Sequence, residues 1–126
     1  MSVAYVDTSC LVAIAFGEKG STTLARELMR FDELVSSGLL EAELKSAFKR
    51  ERVDFDVSLV ANLSWLLPDR PLTEEIERVL STGYVRGADC WHLASALYLA
   101  PDPGSMSFIT LDEPQRKMAK DLGFTV

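Results

Sequence analysis

Residues 3–6 (Val-Ala-Tyr-Val) form an apolar run with no polar break, and it stops on Asp7. A strand with one wet face alternates apolar and polar positions, whereas a strand covered on both faces does not. The run therefore predicts a strand inside a parallel sheet layered with helices, with an acid placed directly at its end. Residues 107–110 (Ser-Phe-Ile-Thr) read as a second such strand, and Asp112 follows just beyond it. If the two strands are parallel neighbours, both carboxylates emerge at one edge of the sheet.

The rest of the chain supplies the helices that such a sheet needs. A short helix is expected over 8–16, with a break at Gly17 to Gly20. Ser21 is placed to cap a helix over about 22–31, with Leu24, Leu28 and Phe31 on one stripe. Leu34 and Val35 suggest a brief strand. Ser36 or Ser37 then caps a long helix to about Arg52, and 56–64 reads as a further helical stretch. Residues 65–67 are expected as a third strand before the Pro68 and Pro71 turn, and 72–82 as a helix stopped by Gly83. Residues 88–100 are apolar on all sides, which predicts a buried central helix, ended by Pro101. A last helix runs from about 113 to 122 and stops at Gly123, with 124–126 as an edge strand. Strands alternating with helices imply an α/β fold with a mainly parallel sheet. With 126 residues and no linker or repeat, one domain over 1–126 is expected.

Four acids stand out by position. Asp7 and Asp112 sit at strand ends, although each is also placed to cap the helix that follows. In the helix from Ser37, Leu40, Leu44, Ala47 and Phe48 form the apolar stripe, and Glu43 lies along its edge. Glu41 differs: with Lys45, Lys49 and Arg52 it lines the opposite face, with the four-residue Glu-to-Lys spacing of a solvated pair. A carboxylate on the core side needs a positive partner. A metal ion or an arginine such as Arg50 would each serve Glu43. Asp89 opens the buried helix, as a cap or as an inward-facing acid, because it shares a face with Leu93, Ala96 and Ala100. His92 follows one turn on, and Ser95 beyond it is expected to bond back to its helix. Acids brought together repel unless cations join them, and an all-oxygen set selects Mg²⁺ or Mn²⁺ rather than zinc.

These residues fall in a pattern. Val6-Asp7-Thr8-Ser9, the stretch from Ser37 to Ala47 with Glu43, Arg86-Gly87-Ala88-Asp89-Cys90-Trp91-His92-Leu93-Ala94-Ser95-Ala96, and Ile109-Thr110-Leu111-Asp112 occur in order and fill the chain. The sequence resembles the PIN-domain ribonucleases, and especially VapC-type toxins of toxin–antitoxin pairs. One departure is Cys90, where a small apolar residue is more usual. The resemblance implies a PIN-like three-layer sandwich with four to five strands. It implies an endoribonuclease with Mg²⁺ or Mn²⁺ held by Asp7, Glu43, Asp89 and Asp112. It further implies a homodimer and a cognate antitoxin.

Around those acids, Thr8, Ser9, Thr110 and His92 are candidate supports. Lys45, Lys49, Arg50, Arg52 and Arg86 are candidate RNA phosphate contacts. Trp65 and Trp91 are expected in the core. The net charge of −6 weighs against a polyanionic partner, but setting the four acids aside leaves −2. Cys10 and Cys90 have no metal-binding spacing and are expected as buried thiols. No apolar run reaches membrane-spanning length, and residues 1–9 show no targeting pattern, so a cytoplasmic protein is expected. Two rivals remain at this level. A haloacid-dehalogenase-type phosphatase needs a second aspartate two residues after Asp7, where this chain has Ser9. A catalytically silent module of the same fold, binding RNA or a partner, is the other.

Overall fold

A computed structural model describes residues 1–126. The elements are β1 (Val3–Val6), α1 (Thr8–Ala15), α2 (Ser21–Leu28), β2 (Glu33–Ser37), α3 (Gly38–Arg50), β3 (Leu63–Leu66), α4 (Thr73–Thr82), α5 (Gly87–Leu99), β4 (Ser107–Ile109) and α6 (Glu113–Leu122). The four strands form one sheet in the order β3-β2-β1-β4, parallel at every pairing.

Strand periodicity sorts the core into two layers. Val35, Tyr5 and Phe108 are in register across β2, β1 and β4 and lie on one face. They pack with Val79 of α4, Leu93 and Leu97 of α5, and Met118 and Leu122 of α6. Tyr5 and Phe108 stack with centroids 5.3 Å apart. Val6 turns to the other face, where it joins Leu11, Leu24, Leu28, Leu40, Leu44 and Phe48 from α1, α2 and α3. Each large side chain so buried contributes roughly 1.5–3 kcal/mol. The result is a three-layer α/β sandwich, and the unbroken apolar run at 3–6 is explained by burial on both faces.

Several local expectations need correction. Gly20, not Ser21, is the N-cap of α2, with φ +83 in the left-handed region that suits glycine. Ser37 occupies the N-cap of α3 but makes no side-chain cap bond. That helix stops at Arg50, short of the expected Arg52. The 56–64 stretch is a 3-10 turn at Val57–Leu59 followed by β3, because Asp56 caps the turn through Ser58 instead of opening a longer helix. Gly83 ends α4 in an extended conformation, not a left-handed one. Residues 124–126 contribute only a single bridge, Ser107 with Thr125, so there is no fifth strand. The α6 boundaries agree with the sequence, and Gly123 closes it at φ +109. No helix is long and apolar enough to cross a membrane.

Candidate active site

The strand order fixes where ligands can approach. From β1 the chain moves outward to β2 and then β3 through α1, α2 and α3, packed on one face. It returns to β4, on the far side of β1, through α4 and α5 on the other face. The connections therefore part between β1 and β4, and a crevice forms beyond the carboxyl ends of strands at such a point. Asp7 follows β1 directly, and Asp112 lies just past β4, beyond Thr110 and Leu111.

Asp7 is buried and caps α1. Its Oδ2 accepts from the Ser9 amide at 3.2 Å, the Ser9 hydroxyl at 2.6 Å and the Thr110 hydroxyl at 3.0 Å. Ser9 Oγ accepts in turn from the Leu111 amide at 3.1 Å. Oδ1 accepts no hydrogen bond. Capping and site-building are thus one arrangement: the oxygen turned to the helix is saturated and the other is free.

Glu43 shows the same division. Its Oε1 accepts from the Thr8 hydroxyl at 2.7 Å and lies 2.9 Å from His92 Nε2, while Oε2 accepts nothing. These donors hold its carboxyl below the usual range, the His92 hydrogen bond foremost. The partner expected from the sequence, a metal or Arg50, is preceded by a histidine that is itself fully buried. His92 Nε2 is also 3.6 Å from Asp7 Oδ1, and its Nδ1 is 2.8 Å from the Tyr5 hydroxyl.

Asp89 and Asp112 are held far more loosely. Arg86 Nε lies 3.5 Å from Asp89 Oδ2, and another guanidinium nitrogen is 3.8 Å from Asp112 Oδ2, with 76% of the arginine side chain exposed. Asp112 stands at the N-cap of α6 but makes no side-chain cap bond. The Asp89 carboxyl is pushed up, first by burial and then by the negative charges of Asp112 and Asp7, with Arg86 only partly offsetting them.

All four acids line one open cleft of about 460 Å³, together with Thr8, Ser9, Arg50 and Arg86. Lys45, Lys49 and Arg52 are not in its wall. Lys45 is paired with Glu41 at 3.0 Å and lies over the Phe55 ring, and Arg52 sits beyond α3 at φ +57. Trp65 is exposed at the sheet edge, contrary to expectation, and Trp91 is partly buried. Cys10 and Cys90 are free and buried as expected. Ser95 does not bond back to its helix; its buried hydroxyl has no partner.

Two residues of the site are invisible to sequence reasoning. Gln115 is completely buried, with Oε1 2.8 Å from Thr110 Oγ1 and Nε2 3.5 Å from the Asp89 carbonyl. Tyr5 passes for plain core in an apolar run. The available signal for Gln115 is its place on the apolar side of α6, beside Met118 and Ala119.

No three acidic, histidine or cysteine side chains are gathered closely enough to hold a metal ion as they stand. The donor set nonetheless fits a hard divalent cation. It is all carboxylate oxygen, two of its acids present an unbonded oxygen, and the charge around Asp89 is only partly offset by Arg86. Arg86 is the one cation near the outer pair, and its long, exposed contacts are of the weak kind.

A protein-family model described as PIN domain matches residues 4–121. The chain is also 32% identical over 134 residues to Ribonuclease VapC46 of Mycobacterium tuberculosis (strain ATCC 25618 / H37Rv), an alignment spanning 100% of this chain and 97% of that protein.

Proposed function

The chain belongs to the PIN-domain family, and on that premise we propose that it is an endoribonuclease that uses Mg²⁺ or Mn²⁺ to hydrolyse RNA phosphodiester bonds. The observation that carries this reading is the convergence of Asp7, Glu43, Asp89 and Asp112 on one cleft at the strand ends. Support also comes from the relative, which is named a ribonuclease.

In this reading the four acids hold the ion or ions, with Asp7 and Glu43 as the fixed pair and Asp89 and Asp112 as the adaptable one. A bound cation there supplies polarisation of the scissile phosphate and a more acidic water. Ser9 and Thr110 keep Asp7 in one orientation, and Thr8 does so for Glu43. Arg86 and Arg50, in the cleft wall, meet the RNA backbone phosphates. No other side chain in the cleft is arranged as a separate general base.

The biological setting follows from the four-motif resemblance to VapC-type chains: the toxin of a type II toxin–antitoxin pair, working in the cytoplasm as a homodimer and blocked by its antitoxin. One domain over 1–126 carries the activity.

Cleavage of a labelled RNA by the purified chain tests the enzymatic reading. Mg²⁺-dependent cutting that stops with EDTA, returns with Mn²⁺ and is lost in Asp89→Asn supports it. Undiminished cutting in chelator contradicts it. A second reading, a silent module that binds RNA or a partner, takes its support from Arg86, whose guanidinium lies beside both Asp89 and Asp112. RNA binding without cutting, with metal supplied, would favour that one.

A further inference from the structure

His92 is the only histidine in the chain and is 1% exposed, yet it lies behind two acids of the cleft wall, Glu43 and Asp7. The groups around it fix its hydrogen pattern. Glu43 Oε1, 2.9 Å from Nε2, is a carboxylate oxygen and only accepts. Nε2 therefore carries a hydrogen and donates to Glu43. In the neutral ring Nδ1 is then an acceptor, and the Tyr5 hydroxyl at 2.8 Å donates to it.

The surroundings of Tyr5 support that direction. The Ser36 hydroxyl donates to the Val6 carbonyl at 2.8 Å, the buried Ser37 and Ser95 hydroxyls have no hydrogen-bond partner, and the one hydrogen bond of the phenol is to His92. A buried hydroxyl without a partner is costly, and His92 Nδ1 is the acceptor that satisfies the phenol. With His92 as its one hydrogen-bond partner, Tyr5 gives its proton to Nδ1. Tyr5 is itself fixed, stacked on Phe108 at an interplanar angle of 6°. The chain of contacts runs from the sheet core through Tyr5 and His92 to the cleft.

We propose that His92, oriented by Tyr5, is a positioning residue that fixes Glu43 with one oxygen turned away and so sets the affinity of the cleft for a divalent cation. This rests on the metal-dependent reading above. Thr8 alone would hold Oε1 by one bond and leave the carboxylate free to swing. The second donor, from a ring locked by Tyr5, removes that freedom and also stands 3.6 Å from Asp7 Oδ1, linking the two fixed acids. Donors of this kind behind a ligating group typically change metal affinity or activity about 10–100-fold.

The test measures Mn²⁺ binding by electron paramagnetic resonance, without RNA, in the full chain and in His92→Gln, His92→Asn and His92→Leu. The Gln amide nitrogen reaches the place of Nε2, whereas the Asn amide reaches only the place of Nδ1. The expected result is affinity close to the parent's for His92→Gln and about 10–100-fold weaker for His92→Asn and His92→Leu. If His92→Leu does not fold, the Gln and Asn contrast still decides. Nitrogen NMR of the single imidazole is an independent check, expected to show hydrogen on Nε2 and none on Nδ1. Equal Mn²⁺ affinity in parent, His92→Asn and His92→Leu, or a ring protonated at Nδ1 alone, overturns the proposal. Failure of the parent itself to bind Mn²⁺ overturns the metal-dependent reading, and this proposal with it.

Discussion

The Thr110 hydroxyl lies 3.0 Å from Asp7 Oδ2, tying the end of β4 to the end of β1 across 103 residues of sequence. The same oxygen accepts from the Asp112 amide at 3.1 Å and shares its proton with Gln115 Oε1 at 2.8 Å. One buried hydroxyl thus orders a proposed ligand, the backbone of a second and the helix that follows.

Replacing Thr110 by valine keeps the shape and removes the hydroxyl. Asp7 then lacks a donor and Gln115 lacks its partner, both in buried surroundings. Stability is expected to fall by about 1–3 kcal/mol, and RNA cleavage by about 10–100-fold. Urea unfolding and single-turnover cleavage measure the two effects separately.

Gln115→Met removes the amide but keeps much of its volume. Thr110 then donates to Asp7 alone, which preserves the ligand, while the Asp89 carbonyl is deprived of a distant donor at 3.5 Å. A stability decrease of about 1–2 kcal/mol with most activity retained is expected. Denaturant midpoints compared with those of Thr110→Val show whether the two residues act as one network.

Asp89→Asn is expected to have opposite effects on stability and activity. Burial and the neighbouring charges of Asp112 and Asp7 raise the Asp89 carboxyl in the folded chain. The folded state therefore binds that proton more tightly than the unfolded chain. Its contribution becomes unfavourable as pH rises from the ordinary carboxylate value through the raised one, and stays so at neutral pH. Without metal, Asp89→Asn should stabilise the protein at neutral pH, because the buried charge is removed. The gain should vanish at low pH, and Mg²⁺ should stabilise the parent but not the variant. Thermal melts at both pH values with and without Mg²⁺ read all of these.

Arg86→Ala should weaken RNA binding. It should also lower the slope of log affinity against log salt by about 0.7, the change that follows from removing one cation from a single-stranded backbone. Lys45→Ala should leave that slope unchanged, because Lys45 is already paired with Glu41 outside the cleft. Filter binding over a salt series, on an Asp7→Asn background to prevent cutting, makes the comparison.

The sheet and the four acids are legible in the sequence because each leaves a local signature. An unbroken apolar run marks β1, strand ends mark Asp7 and Asp112, and the edge of an apolar stripe marks Glu43. Other features depend on partners remote in sequence. From the sequence His92 is only a candidate support, because Tyr5 and Glu43, which fix its role, are 87 and 49 residues away. Gln115 lies on the apolar side of α6, but its partner Thr110 is set only once the end of β4 is folded against that helix. The 56–64 segment shows the limit of periodicity: its apolar residues suit a helix, but Asp56 closes a short turn and β2 recruits Leu63 to Leu66 as a strand. Trp65 escapes the core for a related reason, since β3 is the edge of the sheet and the residue stays exposed there.

A crystal soaked in Mn²⁺ and measured near the manganese absorption edge addresses the shared-cation claim most directly. The expected result is an anomalous peak in the cleft, within ligating distance of Asp7 and of at least one of Glu43, Asp89 and Asp112. A cleft without a peak at saturating Mn²⁺, with Arg86 still lying across Asp89 and Asp112, would contradict it.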